Sequence, residues 1–248
     1  MGNDFLESIK RSAIAKYPQE ACGFILSVGN GKSTFYEAKN TSPNPEHFFV
    51  IHPNEYQKAS EIGEIVGVWH THVEIGPQPS EADKVGCENS ALPWYILGVF
   101  KNDNGFEFSE LFSFEPNGYE APYLGRPYAY GALDCWSLVR DYYGREFGIK
   151  LGDYTRIKEF WRTEHNFFED NWEKEELVNV TGRPLAIGDI LYFQTDDSGK
   201  PNHAGIYSSN ERILHHAMGR LSKEDIYTHG SYWEKHTVKQ LRHKSKCS

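Results

Sequence analysis

The chain has 248 residues, 39% hydrophobic and 15% aromatic, with 26 Lys+Arg against 35 Asp+Glu and a formal net charge of −9. That composition supports packed cores and excludes a disordered chain, and at about 150 residues per domain the length suits one large domain or two small ones. The acidic balance, with no dense Lys/Arg stripe, excludes nucleic acid as an expected partner, and no run approaches the ~20 apolar residues of a membrane span.

The cysteines Cys22, Cys87, Cys135 and Cys247 form no C-x-x-C pair and no regular framework, so a reduced, cytosolic folding environment is expected. Asp4, Glu7, Lys10 and Arg11 interrupt the start of the chain, which therefore does not read as a secretion signal. Met1-Gly2 opens like a myristoylation site, but Leu6 stands where that signal needs Ser or Thr.

In chain order, residues 3–16 have helical spacing, with Phe5, Ile9 and Ile14 among charges. Residues 22–28 read as a buried strand closed by the turn Gly29-Asn30-Gly31, and 48–51 as another strand, ended by His52-Pro53. A strand over 65–69 delivers His70 and His72 at its end, a helix begins at Ser80, and 94–100 is a further strand. From Glu115 the periodicity breaks at Pro116, Gly118, Pro122, Gly125 and Pro127, which predicts a linker over 115–121 between domains at 1–114 and 122–248. Beyond it, 135–147 is predicted helical and 185–193, 204–207 and 212–216 are predicted strands. The fold class expected is α+β.

Two histidines at i and i+2 on a strand point to one face, so His70 and His72 can reach a single ion. Asp83, one turn into the following helix, adds a carboxylate. Three protein ligands leave the fourth tetrahedral position of a catalytic zinc to water, whose pKa falls from ~15.7 to about 7. An upstream glutamate folded over the metal would serve as base. Ser80-x-x-Asp83 is equally a helix-capping arrangement, which accounts for two of these residues without a metal.

The segment Pro18-Gln19-Glu20-Ala21-Cys22-Gly23-Phe24, followed by His70, His72, Ser80 and Asp83, resembles the JAMM (MPN-plus) metalloproteases over residues 1–114. The stretch with Asn40, Phe48 and Pro53 is similar to that family too, whereas Val73 departs from its usual proline. The resemblance implies an α/β/α sandwich with a mixed sheet and Zn2+ held by His70, His72 and Asp83. It further implies Glu20 as acid/base and Ser80 as hydrogen-bond donor to the oxyanion.

In the second half, Cys135 opens a helix, whose positive N-terminal end favours thiolate. A nearby imidazole and a third polar group would complete an activated nucleophile, and His203 and His215, on strands joined by a short turn, are the candidates. Cys22 reads as core, Cys87 as a helix face and Cys247 as tail. His47, His52, His165, His229, His236 and His243 stand outside both patterns.

Tyr128 and Gly131 before Asp134-Cys135, then Gly188-Asp189-Ile190, His203-Ala204-Gly205 and Ile213-Leu214-His215, resemble the NlpC-type cysteine peptidases in order and spacing. That implies a papain-like α+β domain with Cys135 as nucleophile, His203 as base, His215 as orienting residue and Tyr128 near the substrate. Trp136-Ser137 departs from the family's usual Ser-Gly. A shifted hairpin register would exchange His215 with His216.

The two domains in this order are similar to the tail tip assembly proteins of long-tailed, lambda-like bacteriophages. Membership implies manufacture in the host cytoplasm, a place at the virion tail tip, and other tail tip proteins as partners. The zinc half would cut a peptide or isopeptide bond. The thiol half would cut peptidoglycan stem peptides between D-glutamyl and diaminopimelate residues. A tail component without turnover, or a bacterial or prophage wall-remodelling hydrolase, are the alternatives.

Overall fold

A computed structural model describes residues 3–154, 156 and 159–247, and in it the chain separates into two units, Met1–Glu120 and Ala121–Ser248. The first unit runs α1 (Asn3–Lys16), β1 (Cys22–Ser27), β2 (Ser33–Ala38), α2 (Pro53–Ile62), β3 (Glu64–Val73), α3 (Glu81–Ser90), β4 (Trp94–Asn102), β5 (Gly105–Phe108) and β6 (Phe112–Phe114). Its sheet has the order β2-β1-β3-β4-β5, with β6 also paired to β4. The period of two in β1 sends Phe24 and Leu26 to one face and Ile25 to the other, and β3 repeats the division with Val68 and Trp69. Ala59 of α2 and Cys87 of α3 pack on the first face, and Ile9 of α1 on the second. Helices therefore cover both faces of a mixed sheet, as expected.

Among the described strands of this unit only β3 and β4 pair in parallel, so α3 is the crossover between them. A crossover helix begins just beyond the end of the first strand. That constraint brings the N-terminus of α3 to the end of β3, where His70 and His72 lie.

Two readings of the sequence are corrected here. Residues 48–51 form no strand; a single bridge pairs Ile51 with Asn40. The Asn40 side chain takes the place of a ladder, donating to the Glu20 and Phe48 carbonyls and accepting from the Ser42 and Val50 N–H groups. His52 and Pro53 start a helix rather than only ending a strand. The His52 ring accepts the Asn54 N–H, and Pro53 occupies the first helical turn, where its missing N–H has no partner to lose. Within the region taken as linker, the Asn117 and Tyr119 N–H groups donate to Glu88 of α3.

The second unit runs α4 (Cys135–Phe147), α5 (Phe167–Asn171), β7 (Leu177–Asn179), β8 (Ile190–Phe193), β9 (His203–Ser209), β10 (Arg212–His215), β11 (Lys223–Ile226), α6 (Tyr232–His236) and β12 (Thr237–His243). Its antiparallel sheet has the order β11-β10-β9-β8-β12-β7. Leu138, Val139 and Tyr143 of α4 pack with Ala204, Ile206 and Leu214 on one face, beside the aromatic group Phe160, Phe167 and Phe168. Phe193, Ile213, Tyr227 and Trp233 cluster on the other face. The strand expected over 185–193 is shorter, because Gly188 turns the chain with φ +94° before Ile190. β2, β7, β11 and β12 were not anticipated from the sequence: their polar residues obscure the alternation that the sheet restores.

Gly23 on β1 allows no side chain. A Cβ there would lie 1.9 Å from the Tyr36 carbonyl oxygen and 2.8 Å from the Trp69 indole nitrogen, which itself donates to that oxygen. Gly23→Ala is expected to destabilise the first unit by about 1–3 kcal/mol, read as an earlier thermal transition of the full chain. An unshifted transition would contradict this packing.

Candidate active sites

At the end of β3, His70 and His72 are buried and face Asp83 of α3. The Nε2 atoms of the two rings are 3.2 Å apart; Asp83 Oδ1 lies 3.2 Å from His70 Nε2, and Oδ2 lies 3.3 Å from His72 Nε2. Ligands on a tetrahedral ion at about 2.0–2.1 Å are separated by about 3.3–3.4 Å, so this set fits a zinc ion. Pairing of His72 Nδ1 with the Gly76 carbonyl at 2.9 Å requires that nitrogen to donate, which leaves Nε2 as the electron-pair donor. His70 Nδ1 is buried with no partner among the described residues.

The capping box and the metal geometry are one structure rather than rivals. Ser80 Oγ accepts the Asp83 N–H at 3.2 Å while the Ser80 N–H donates to Asp83 Oδ2 at 2.7 Å, so the cap itself aims the carboxylate at the histidines. Burial opposes the Asp83 charge, but His70, His72 and Ser80 hold the carboxyl well below the usual range. Phe49 packs tilted against the His70 ring with centroids 4.6 Å apart, a contact with no sequence signal.

Glu20 is buried just before β1. The Ala21 N–H donates to Thr71 Oγ1 and the Thr71 N–H donates to the Ala21 carbonyl, which clamps this segment to the strand between the two histidines. Burial, partly offset by His72, pushes Glu20 up to about 8. Without a metal it therefore carries a proton at neutral pH. Ser80 is exposed at the helix tip.

In the second unit, Cys135 is the first residue of α4 and Asp134 is its N-cap. Asp134 Oδ1 accepts the Trp136 and Ser137 N–H groups, while Oδ2 accepts from Gly131 at 2.9 Å and from buried Arg156 at 2.6 Å. Arg156 also donates to the Gly131 carbonyl. Burial, then the Asp134 charge, push the Cys135 thiol up to about 12 against the pull of the Ala204 and Trp136 N–H groups. The helix end alone favours thiolate, and burial outweighs it.

His203 Nε2 lies 3.1 Å from His215 Nδ1, whereas His216 faces Tyr128 and pairs through Nε2 with the Arg220 carbonyl. The register, with His215 opposite Gly205, turns His215 to the sheet face of His203 and His216 to the other. Cys135, His203, His215 and Tyr128 line one cavity of about 620 Å3, together with Trp161, Arg220, Lys223 and Asp225.

Asp225 and Trp233, which contact His215, are among the residues of this site that escape the sequence reading. Asp225 lies 3.0 Å from His215 Nε2, and Trp233 packs on His215 at 4.4 Å. Lys223-Glu224-Asp225 reads as a solvated charge run. Only its pairing with β10 reveals a strand.

Burial holds His203 well below its ordinary imidazole value and lowers His215, while His216 falls to about 4. In the unfolded chain these rings take up protons near pH 6.5, in the folded chain only well below it. Stability is therefore full above that value and is lost as pH falls towards about 4. Urea midpoints are expected to drop between about pH 7 and about pH 5, and less so in His216→Gln. Equal slopes in the two proteins would contradict the burial of a neutral His216.

Residues 3–110 match the family of prokaryotic homologs of the JAB domain, and residues 125–242 match the NlpC/P60 family. The tail tip assembly protein K of Escherichia phage N15 is 34% identical over 241 residues, covering 96% of this chain and 94% of its own. That of Escherichia phage lambda is 32% identical over 194 residues, covering 78% and 89%. A solved structure of an NLP/P60-family protein from Staphylococcus aureus subsp. aureus Mu50 is 16% identical, with 95% of this chain and 60% of that one covered and a TM-score of 0.35. With JAB-type and NlpC/P60-type parts in this order, and such identity along almost its whole length, the chain belongs to the tail tip assembly protein K family.

Proposed function

We propose that this protein acts at the bacteriophage tail tip as a bifunctional hydrolase, a zinc (iso)peptidase in its first unit and a stem-peptide endopeptidase in its second. The observation that carries the reading is that each unit gathers a complete donor set at a helix N-terminus: His70, His72 and Asp83 within 4.8 Å of one another, and the paired imidazoles of His203 and His215 on the cavity that Cys135 lines.

In the first site His70, His72 and Asp83 would hold zinc, which when bound would supply Lewis acidity towards a carbonyl and an acidified water. Glu20, pushed up to about 8 by burial in the metal-free site, would in its ionised form take a proton from the attacking water and return it to the leaving amine. The exposed Ser80 hydroxyl donates to the oxygen of the tetrahedral carbon.

In the second site the Cys135 sulfur attacks the stem-peptide carbonyl as its proton passes to His203. The C–S bond forms, the C–N bond breaks, and His203 protonates the departing amine. Water then cleaves the thioester with His203 again as base, returning the proton to sulfur. Because burial favours the neutral thiol and imidazole, proton transfer accompanies attack rather than preceding it. Tyr128 and Trp161 give the cavity aromatic walls, and Arg220 and Lys223 suit the carboxylates of a stem peptide. Membership of the tail tip assembly protein K family supports a place of action at the tail tip; the host wall and other tail proteins are the substrates we propose there.

Digestion of purified stem peptides, read by mass spectrometry, tests this. Cleavage is expected from wild type and Glu20→Ala and is expected to be lost in Cys135→Ala. Equal cleavage by Cys135→Ala sinks the thiol assignment, and none by folded wild type sinks the stem-peptidase reading. Purified protein is expected to hold about one zinc per chain, and His70→Ala or His72→Ala to hold none; retention by both variants places the metal elsewhere.

A further inference from the structure

Asp225, on β11, stands beyond the Cys–His–His set. Its Oδ2 is 3.0 Å from His215 Nε2 and accepts the Trp233 indole N–H at 3.0 Å, while Oδ1 pairs with Lys223 Nζ at 2.9 Å. Ile213 is opposite Asp225 and His215 opposite Lys223, so the carboxylate reaches His215 diagonally across the ladder. Trp233 packs over both imidazoles, with ring centroids 5.3 Å from His203 and 4.4 Å from His215. Partial burial opposes the Asp225 charge, but hydrogen bonds from Lys223, Trp233 and His215 hold the carboxyl below its ordinary range.

These contacts dictate where the protons sit. A carboxylate only accepts, so His215 Nε2 carries the hydrogen. Neutral His215 then has a bare Nδ1, which also only accepts. Its partner at 3.1 Å, His203 Nε2, must donate, and neutral His203 is left with a bare Nδ1. The opposite tautomer of His215 would forfeit the Asp225 bond, reverse the His203 bond and place a hydrogen on His203 Nδ1, where it could take no proton.

We propose that Asp225 is a positioning residue of the thiol site, fixing the tautomers of His215 and His203 so that the His203 Nδ1 lone pair receives the Cys135 proton. This rests on the reading of Cys135 as nucleophile and His203 as base. The proton travels no further than His203; Asp225 stays ionised throughout. The charged and titratable groups around these residues are Lys223 beside Asp225, His215 beside His203 with His216 acting on it from the other sheet face, and Asp225 and Lys223 beside His215.

The test is made on the full chain with Cys247→Ser, because Cys247 is exposed; Cys135 is buried like Cys22 and Cys87, but of these three it is the one that lines the open cavity. Long-range 1H–15N spectra of the imidazoles are expected to show Nε2–H and bare Nδ1 for both His203 and His215. In Asp225→Asn, whose amide donates as readily as it accepts, His215 is expected to populate both tautomers. Alkylation of Cys135 by iodoacetamide across about pH 6 to 9 is expected to slow by about tenfold or more in that variant and to recover in Asp225→Glu. Unchanged tautomers with unchanged alkylation in Asp225→Asn overturn the proposal, as does an Nδ1–H signal for His215 in the parent protein, which needs no variant to fold. If the tautomers and the alkylation loss are as expected but the parent leaves stem peptides intact, the positioning role stands and the stem-peptidase reading falls.

Discussion

Both candidate sites depend on a buried carboxylate that closes the first turn of a helix. Asp134 ties the Gly131 turn, the first N–H groups of α4 and the buried Arg156 into one knot. An ionised carboxylate so buried is tolerated only because its lone pairs are occupied and an opposite charge is at hand. Removing it would leave Arg156 charged and buried without that partner, a loss of about 3–5 kcal/mol. Asp83 is the counterpart in the first unit, where the Ser80 N–H holds the carboxylate against the two histidines. In each case the carboxylate that caps the helix also helps shape the site, so the two share the same hydrogen bonds.

Burial then sets the protonation states. It raises the Cys135 thiol and the Glu20 carboxyl and lowers His203, in each case favouring the neutral form. The helix dipole at Cys135 acts in the opposite direction and is the weaker influence. A neutral thiol beside a neutral imidazole is less reactive towards stray oxidants and electrophiles than a preformed ion pair. In the proposed thiol reaction such a pair needs an oriented base, and the groups behind His203 supply the orientation.

Asn40 shows how polar side chains replace regular structure near the first site. One amide satisfies the Glu20 and Phe48 carbonyls and the Ser42 and Val50 N–H groups, so residues 40–51 approach β1 without joining the sheet. The resulting turn presents Phe49 to His70. Four apolar residues in a row suggested a strand; the hydrogen bonds went to a side chain instead, which local periodicity does not register.

The sequence by itself determined what depends on near neighbours: α1 and α4 from their apolar spacing, β1 and β3 from their runs, the same-face placement of His70 and His72, and the cap of α3. The JAB-type and NlpC/P60-type order of the halves was legible in the same way, because it lies in short motifs of Glu20, His70, Cys135 and their neighbours. Tertiary structure alone decided the rest. The choice of His215 over His216 as neighbour of His203 comes from the β9–β10 register, since one residue of slip exchanges the two faces. Asp225, Trp233 and Arg156 reach the thiol site from segments whose local sequence is charged or irregular, and only strand pairing and burial bring them there. A histidine's proton, likewise, is assigned by the partner behind it, and that partner is chosen by the fold.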